Sequence, residues 1–227
     1  HAWSSCFDPA NQLRSPCSAI YSLMKVLRKG YLGPVSEQQQ DAIIRCEKRL
    51  EMLGTMVNDL LKLGIKRQQQ DRAAIQPVDG AKVLRALEDL YASSASEKGV
   101  GVEFVIQGSL PELLADGKLL DELFGNLISN AIKYTPSGGK VRVSLAGDKE
   151  HRVRFEVSDT GIGIPEEDLP RLFTEFFRAE NAKAQAEEGT GLGLVIVKEI
   201  LDFLGGSISV KSKAGEGTTF TCLLPSV

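Results

Sequence analysis

The sequence of 227 residues lacks the features that would assign it to several broad classes of protein. No run approaches 18 apolar residues, which argues against a membrane-spanning helix, and the N-terminus lacks the charged and then apolar stretches of a signal peptide. It also lacks a long block of lysine and arginine, and its formal net charge is −3, so nucleic-acid binding is not expected. We expect a soluble, cytoplasmic protein that meets a membrane only through segments upstream of His1.

Cysteine and histidine are too few and too scattered to predict a zinc centre. The four cysteines form no CxxC pair, and neither histidine lies near them at the spacing of zinc ligands. Reduced thiols are therefore expected, with Cys17 and Cys46 as small buried apolar side chains. The alternative is a redox-responsive thiol pair or metal site, because Cys17 and Cys46 fall at a similar level of two predicted helices and Cys6 lies three turns above Cys17.

The first pattern that is present predicts two helices. Apolar residues recur at intervals of three and four from residue 18 to residue 31, and a second, near-heptad pattern follows Ser36, where Gln39 completes a capping box. The first 66 or so residues are thus predicted to form a helical hairpin, and the polar residues 66–72 a linker or helix end. Because one hairpin cannot bury both apolar seams, we expect a homodimer that forms a four-helix bundle.

After residue 73, helical and strand patterns alternate in the manner of an α+β domain. Strands are predicted at 74–76, 102–107, 140–146, 152–158, 207–212 and 218–224, and helices at 78–98, 117–134 and 192–204. These elements predict one mixed sheet with helices on one face. The chain is accordingly divided into residues 1–68 and residues 73–227.

Two glycine-rich turns carry the first functional signal. DTGIGIP, residues 159–165, follows a predicted strand, and EGTGLGL, residues 188–194, opens the last predicted helix. Glycines let the backbone approach a ligand closely, and a helix N-terminus favours an anion. Neither turn is a GxGxxG in a βαβ unit, and no Walker lysine follows, so the turns predict a nucleotide site of another kind. Turns without any ligand are the alternative.

Five motifs, in their order and spacing, resemble the ATP-binding domain of sensor histidine kinases, which belongs to the GHKL ATPase superfamily. They are NLISNAIKYTP (residues 126–136), DTGIG, LFTEFFRAE, GTGLGL and GEGTTF (residues 215–220). The helical hairpin resembles the dimerisation and phosphotransfer domain of the same family, so the resemblance covers essentially the whole chain. It implies a GHKL, or Bergerat, α/β sandwich that binds ATP together with Mg²⁺.

The resemblance also implies roles for single residues. Asn130 would be a magnesium ligand, Lys133 would contact phosphate and Tyr134 would line the adenosine pocket. Asp159 would accept a hydrogen bond from the adenine amino group. The other implied cofactor-binding residues are Asn126, Gly161, Gly163, Ile164, Arg178, Gly189, Thr190, Gly191, Leu192, Gly193 and Thr219.

Within that set, Gly161 and Gly163 would leave room for the adenine ring, and Thr219 would lie near it. Arg178 and the turn at residues 189–193 would flank the triphosphate, and residues 175–188 would form a mobile lid. A structural alternative exists for Asn126, whose side chain can hydrogen-bond within a helix, and for the phenylalanines of LFTEFFRAE, which can staple a loop.

The chain departs from the family at the phosphoacceptor motif. The family carries a motif resembling HELRTP, where this chain reads NQLRSP, so Asn11 occupies the acceptor position and Gln12 that of the acidic neighbour. An amide has no nucleophilic ring nitrogen, so Asn11 cannot form a phosphoimidazole, and neither His1 nor His151 replaces it. Ser15 holds the position that assists dephosphorylation of the response regulator in the family.

Three explanations fit this departure. The chain is a pseudo-kinase that binds ATP and signals by conformation or by pairing with an intact kinase, or it phosphorylates a nearby Ser15, Cys17 or Ser18, or Asn11 is an introduced substitution. We favour the first. The predicted function is the ATP-binding transmitter region of a two-component sensor histidine kinase that signals to a response regulator. The alternatives are a nucleotide-gated interaction module and a GHKL-type ATPase. The ATPase is disfavoured because GHKL enzymes that hydrolyse ATP carry a water-activating glutamate at the position of Asn126.

Overall fold

The computed structural model describes residues 9–69, 74–148, 152–186 and 189–227, with the side chains of residues 16–60 and of those from residue 74 onwards within these ranges. It divides into two compact units, the first running to Gln68 and the second holding nearly all later residues. His1, Cys6 and His151 lie outside the described residues. Asn11, Gln12 and Ser15 lie in the first helix, and their side chains are outside the described part.

The first unit consists of two helices, α1 (Pro9–Arg28) and α2 (Glu37–Gln69). The predicted capping box at the start of α2 is confirmed, since the amide of Ser36 donates to Oε1 of Gln39 at 2.8 Å and the amide of Gln39 donates to Oγ of Ser36 at 3.3 Å. Two of the orphan amides at the helix start are thereby satisfied by side chains. Helix α2 continues three residues beyond the predicted end of the hairpin.

The apolar stripe of the two helices is only partly covered within the unit. Ile43 and Val57 are buried, whereas four other large apolar side chains remain 44 to 59% exposed. These are Ile20, Leu23, Leu53 and Leu60. The chain therefore presents an apolar face on this unit that its own hairpin leaves in water.

The two cysteines in the described part of this unit, Cys17 and Cys46, differ from the expectation of buried small side chains. Cys46 is exposed and Cys17 is half-buried, and both are free thiols. The reason lies in helix periodicity, because the buried stripe of α2 runs through Ile43, Glu47 and Val57 and leaves Cys46 to one side of it. In the second unit, Cys222 is buried, and burial raises the pKa of its thiol to about 12, so it stays protonated and unreactive.

In the described part of the second unit, seven strands form two sheets. Strands β1 (Gln76–Val78) and β3 (Leu113–Ala115) pair with each other. The five-stranded sheet has the order β2-β4-β5-β7-β6, with β2 and β4 parallel and the other neighbours antiparallel, which confirms the predicted mixed sheet. Its strands are β2 (Gly101–Gln107), β4 (Lys140–Gly147), β5 (Arg152–Asp159), β6 (Ser207–Lys213) and β7 (Gly217–Pro225).

Helices cover one face of this sheet. The covering helices are α3 (Gly80–Lys98), α4 (Gly117–Tyr134) and α6 (Gly193–Leu204). The unit also contains α5 (Glu180–Gln185) and a short 3₁₀ helix at Glu166–Arg171, neither of which has a buried residue. Phe124 of α4 stacks on Phe155 of β5 with ring centroids 4.0 Å apart, and both are fully buried. The opposite face of the sheet is polar, and there Arg142 pairs with Glu103 across β4 and β2 at 3.7 Å. The expected helices on one face are therefore confirmed.

The C-terminal turn of α4 is fastened to neighbouring elements. Its carbonyl oxygens, which have no partners within the helix, all accept hydrogen bonds, and they belong to Ala131, Ile132, Lys133 and Tyr134. The donors are Oγ1 of Thr135 at 2.7 Å, the amide of Ile162 at 3.1 Å, and the Lys98 ammonium, which bonds two of these carbonyls. Partial burial lowers the pKa of Lys98. Lys98 thus ties the end of α3 to the end of α4.

We expect Lys98→Met to lower the free energy of unfolding by about 1–3 kcal/mol, because two carbonyls at the end of α4 lose their donor while the aliphatic stem is kept. Urea denaturation followed by circular dichroism measures the change. Lys82→Met on the same helix is the matched control, since Lys82 is exposed, and it should change stability by less than about 0.5 kcal/mol. Equal losses in both variants would contradict the role of Lys98.

Candidate functional site

Asp159 ends strand β5 and turns its carboxylate toward the helix-covered face of the sheet. It is in phase with Phe155 and Val157, which are fully buried on that face. Its Oδ1 accepts hydrogen bonds from the amides of Gly161 at 2.8 Å and Thr218 at 3.2 Å. Among the described residues none bonds Oδ2, so this oxygen is left to accept from a ligand.

Two opposing effects act on the pKa of Asp159. Burial, which is the larger, raises the pKa because it disfavours the charged form, and the hydrogen bonds from Gly161 and Thr218 lower it. The net direction is upward. Asp159 is therefore an anchored carboxylate whose ionisation is costly until a donor reaches its second oxygen.

The register of β7 against β5 decides which threonine lies beside Asp159. In the β5–β7 pairing, Asp159 lies opposite Thr218, and Ser158 lies opposite Thr219. Directly opposed residues share a face, so Thr218 stands beside Asp159, while Thr219 is on the other face and bonds Oγ of Ser158 at 2.8 Å. Thr219 was predicted to lie near adenine, and the register shows that it is Thr218, not Thr219, that shares the face of Asp159, because one step along a strand changes the face.

The glycines of the DTGIG turn are required by the protein's own backbone. A Cβ on Gly161 would lie 2.5 Å from the carbonyl oxygen of Tyr134 and 2.7 Å from Oδ1 of Asp159. Gly163 has a φ of +61°, and a Cβ there would collide with the carbonyl of Lys213. Both glycines are thus required by close contacts with the backbone at Tyr134 and Lys213.

The turn is also held by side chains of the β6–β7 hairpin. The amide of Ile164 donates to Oγ of Ser212 at 2.8 Å, and the amide of Gly215 donates to the carbonyl of Ile162 at 2.8 Å. Ser212 further bonds the carbonyl of Gly217, at 2.8 Å. Ile164 was predicted as a binding residue, and the structure places it on this fastened turn. Ser212 was not predicted, because its role depends on a contact 48 residues away.

The asparagines of α4 face the second glycine turn. Asn126 and Asn130 are one helical turn apart and half-buried. A Cβ on Gly193 would lie 3.2 Å from Oδ1 of Asn126 and 3.9 Å from Nδ2 of Asn130, so the start of α6 lies directly over both amides. Nδ2 of Asn126 also donates to the carbonyl of Glu122 at 2.9 Å, which is the helix-internal bond considered as its alternative role.

The end of α4 brings the cation and the aromatic ring of the motif together. The ammonium of Lys133 lies 5.5 Å from the centroid of the Tyr134 ring, within reach of a cation–π contact, and both residues are half-buried. The amide of Ile162 donates to the carbonyl of Tyr134. The lysine and tyrosine therefore adjoin the DTGIG turn.

The GTGLGL turn opens α6 without a side-chain cap. Leu192 holds the N-cap position and is fully buried, so only its backbone can face a ligand, and no side-chain bond caps the helix. Gly189 and Gly191 have φ values of +143° and +72°, and Thr190 between them is buried. A helix start without a side-chain acceptor suits an anion such as phosphate.

The LFTEFFRAE segment packs on the same glycine turn. A Cβ on Gly191 would lie 2.7 Å from the carbonyl carbon of Phe176 and 2.9 Å from the carbonyl oxygen of Phe177. Phe176 itself has a φ of +62° and is 50% exposed, and the Arg171 guanidinium lies 4.4 Å from the Phe177 ring centroid. The contacts with Gly191 therefore come from the backbone of Phe176 and Phe177 and not from their rings.

Arg178 lies in the segment predicted to form the lid, and its side chain contacts other residues of that segment. Its guanidinium donates to the carbonyl of Ala182 at 3.2 Å and to that of Ala186, so it closes the end of α5. The role beside the triphosphate implied by the resemblance is thus accompanied by a structural one that the sequence did not suggest.

The chain is similar in sequence to one protein family and to several known sensor proteins. Residues 115–227 match the family described as "Histidine kinase-, DNA gyrase B-, and HSP90-like ATPase". The chain is 32% identical over 224 residues to the aerobic respiration control sensor protein ArcB of Escherichia coli (strain K12), covering 96% of this chain and 28% of ArcB. It is 31% identical over 220 residues to the circadian input-output histidine kinase CikA of Synechococcus elongatus, covering 95% of this chain and 29% of CikA. The chain thus spans less than a third of either relative.

Solved structures show the same fold. Full-length ShkA in complex with AMPPNP superposes with a TM-score of 0.72 at 26% identity, covering 96% of this chain and 44% of that one. The mycobacterial sensor histidine kinase MprB superposes with a TM-score of 0.57 at 28% identity, covering 67% of this chain and 98% of that one. In the described ranges, no helix is both long and apolar enough to cross a membrane.

Proposed function

We propose that this chain, whose residues 115–227 match the histidine kinase-, DNA gyrase B- and HSP90-like ATPase family, is an ATP-binding transmitter of a sensor histidine kinase that cannot phosphorylate its own acceptor position. The observation that carries the proposal is the carboxylate of Asp159, which is held through Oδ1 by two backbone amides while Oδ2 is left for a ligand. Both the binding of ATP and the missing phosphotransfer can be tested separately.

The Asp159 arrangement favours adenine over guanine. An ionised carboxylate only accepts hydrogen bonds, and adenine offers an exocyclic amino donor at the position where guanine carries a carbonyl oxygen. The Asp159 carboxylate would face the guanine carbonyl oxygen, and two hydrogen-bond acceptors in contact repel each other, so GTP should bind poorly. Thr218, on the same face, orients the carboxylate through its amide.

The phosphates belong near the start of α6 and the polar side of α4. Asn130 offers an amide oxygen, the hard ligand that Mg²⁺ takes alongside phosphate and water oxygens, and Lys133 supplies a positive charge. Asn126 and Asn130 lie under Gly193, so both amides adjoin the start of α6. A Mg²⁺ ion held by Asn130 would neutralise phosphate charge. Asn126 cannot act as a general base, which argues against a hydrolytic ATPase.

The proposed missing step follows from Asn11. It lies in α1, with Gln12 next to it and Pro16 inside the same helix, and the resemblance of NQLRSP to the family motif puts it at the position proposed for the acceptor. Because neither amide can act as nucleophile or base, signalling must run through nucleotide-dependent conformation, toward a response regulator or an intact kinase partner. Ser15, one helical turn beyond Asn11, is the residue proposed to face the phosphorylated regulator.

We further propose that the first unit forms a homodimer. The exposed apolar side chains of α1 and α2 require a cover, and a second copy supplies an identical hairpin to complete a four-helix bundle. Ile20, Leu23, Leu53 and Leu60 would then be buried. Sedimentation of the parent chain against Leu23→Glu tests this, with a monomer expected only for the variant.

The decisive experiment for the transmitter proposal uses γ-labelled ATP. We expect the chain to bind Mg-ATP in equilibrium dialysis and to carry no covalent label after either acid or base treatment. Acid-labile, base-stable label on the chain would overturn the absence of phosphotransfer. Absence of nucleotide binding would overturn the proposal as a whole.

A further inference from the structure

The lid segment, described for residues 175–186, is joined to the DTGIG turn by one side chain. Nδ2 of Asn181, in α5, donates to the carbonyl oxygen of Gly163 at 2.9 Å. A backbone carbonyl can only accept, so the amide must present its NH₂ group to it, and its orientation is fixed. We propose that Asn181 is a positioning residue that fastens the lid to this turn and sets the rate at which bound adenine nucleotide leaves.

The turn is a rigid point of attachment. Gly163 abuts the carbonyl of Lys213 so closely that no Cβ fits, and the neighbouring Ile162 and Ile164 are both hydrogen-bonded to the β6–β7 hairpin. Displacement of Gly163 would therefore disturb several contacts at once. A lid fastened to it is held with respect to Asp159, four residues earlier on the chain.

The lid segment is also braced internally and at its start. The Arg178 guanidinium closes the end of α5 on the carbonyls of Ala182 and Ala186. At the start of the segment, the backbone of Phe176 packs against Gly191. Between these two braces, Asn181 supplies a side-chain hydrogen bond to the turn that follows Asp159, so its loss should free the lid without unfolding it.

The fastening is incomplete, which suits a lid that must open. Oδ1 of Asn181 is buried and has no hydrogen-bond partner among the described residues. An amide that uses only its donor side gains less from closure than a fully satisfied one, because the buried acceptor has lost its water. The closed arrangement is therefore held weakly enough to be broken on each cycle of nucleotide exchange.

This inference rests on the proposed ATP binding, and a dissociation experiment separates the two. The full chain is loaded with a fluorescent N-methylanthraniloyl-ATP and Mg²⁺ and then mixed in a stopped-flow instrument with excess unlabelled ATP. For Asn181→Ala we expect the dissociation rate to rise about fivefold, the value of one neutral hydrogen bond, with little change in the association rate. Asn181→Asp should release at least as fast, because a carboxylate cannot donate to Gly163 and repels its carbonyl.

Lys183→Ala is the matched control, because Lys183 is exposed on the same short helix and forms its ion pair with Glu180 at the surface. It should release nucleotide at the parent rate. The thermal midpoint of the unliganded chain should be the same in all variants, which distinguishes positioning from a structural role. A dissociation rate in Asn181→Ala within twofold of the parent would overturn the inference while leaving ATP binding intact, whereas a parent chain that binds no nucleotide overturns the proposed function.

Discussion

Asp159→Asn should weaken adenine nucleotide binding strongly without unfolding the protein. The amide oxygen can still accept from the amides of Gly161 and Thr218, so the turn keeps its two hydrogen bonds. The other side of the group becomes an NH₂, which meets the adenine amino group donor to donor. Loss of a hydrogen bond to a charged acceptor costs about 2–3 kcal/mol, or roughly 30- to 150-fold in Kd.

The stability of Asp159→Asn shows whether a loss of ATP binding could come from unfolding. Burial raises the pKa of Asp159 in the folded chain above its value in the unfolded chain. The protonated carboxyl therefore stabilises the folded state at low pH, and this stabilisation is lost as the pH rises through the folded pKa. At pH 7 the parent therefore bears the cost of a buried, ionised carboxylate. The neutral amide does not, so Asp159→Asn should be at least as stable as the parent at pH 7 by urea denaturation.

Glu156→Gln is the matched substitution for the binding measurement. Glu156 lies on the same strand as Asp159 but on the open face of the sheet, where it accepts from Oγ1 of Thr221 at 3.0 Å. It should bind ATP like the parent in isothermal titration calorimetry. If Asp159→Asn bound ATP within threefold of the parent, the assignment of the adenine acceptor would be wrong.

The same pKa shift predicts how binding responds to acid. ATP binding requires the ionised form of Asp159, and the raised pKa means that this form is lost at a higher pH than for an exposed aspartate. The affinity for ATP should therefore fall on acidification through this raised pKa, beginning closer to neutrality than the ordinary value would give. Titrations repeated at descending pH measure this fall. The small residual affinity of Asp159→Asn should lack this component, since the amide does not titrate.

The sequence predicted the elements best where several local signals agree. Helix α4 begins and ends at the predicted residues because Asp116 caps its start, bonding the amide of Lys118 at 2.8 Å, and because Pro136 follows its end. The short strand β3 was not predicted, because three residues are too few to show an alternating apolar pattern. Strand β1 lies two residues later than predicted.

The candidate site was predictable as a set of residues but not in its contacts. Glycine at position 163 could be recognised as necessary, yet the neighbour that requires it, Lys213, lies 50 residues further along the chain. The choice between Thr218 and Thr219 depends on the register of β7 with β5, which no local signal fixes. The contact of Asn181 with Gly163 joins a short helix to a turn and has no periodicity that could reveal it.

Asn11→His combined with Gln12→Glu should convert the chain into one that labels itself from γ-labelled ATP. The imidazole nitrogen attacks the γ-phosphorus, the bond to the bridging oxygen breaks, and ADP leaves with the electron pair of that bond while the carboxylate takes the ring proton. The label should be stable to base and labile to acid, as expected for a phosphoimidazole. The parent chain should show none, so the expected change is from background to stoichiometric labelling.

Two further variants show which part of the chain is responsible. Asn11→His alone should label about 10²-fold more slowly, because Gln12 cannot take the proton. Adding Asp159→Asn to the double variant should remove the label, since transfer then lacks bound ATP. If the double variant bound ATP but stayed unlabelled, the nucleotide site could not deliver its phosphate to α1, and the defect would extend beyond Asn11 and Gln12. Labelling would instead show that these two side chains alone separate this chain from a self-phosphorylating kinase.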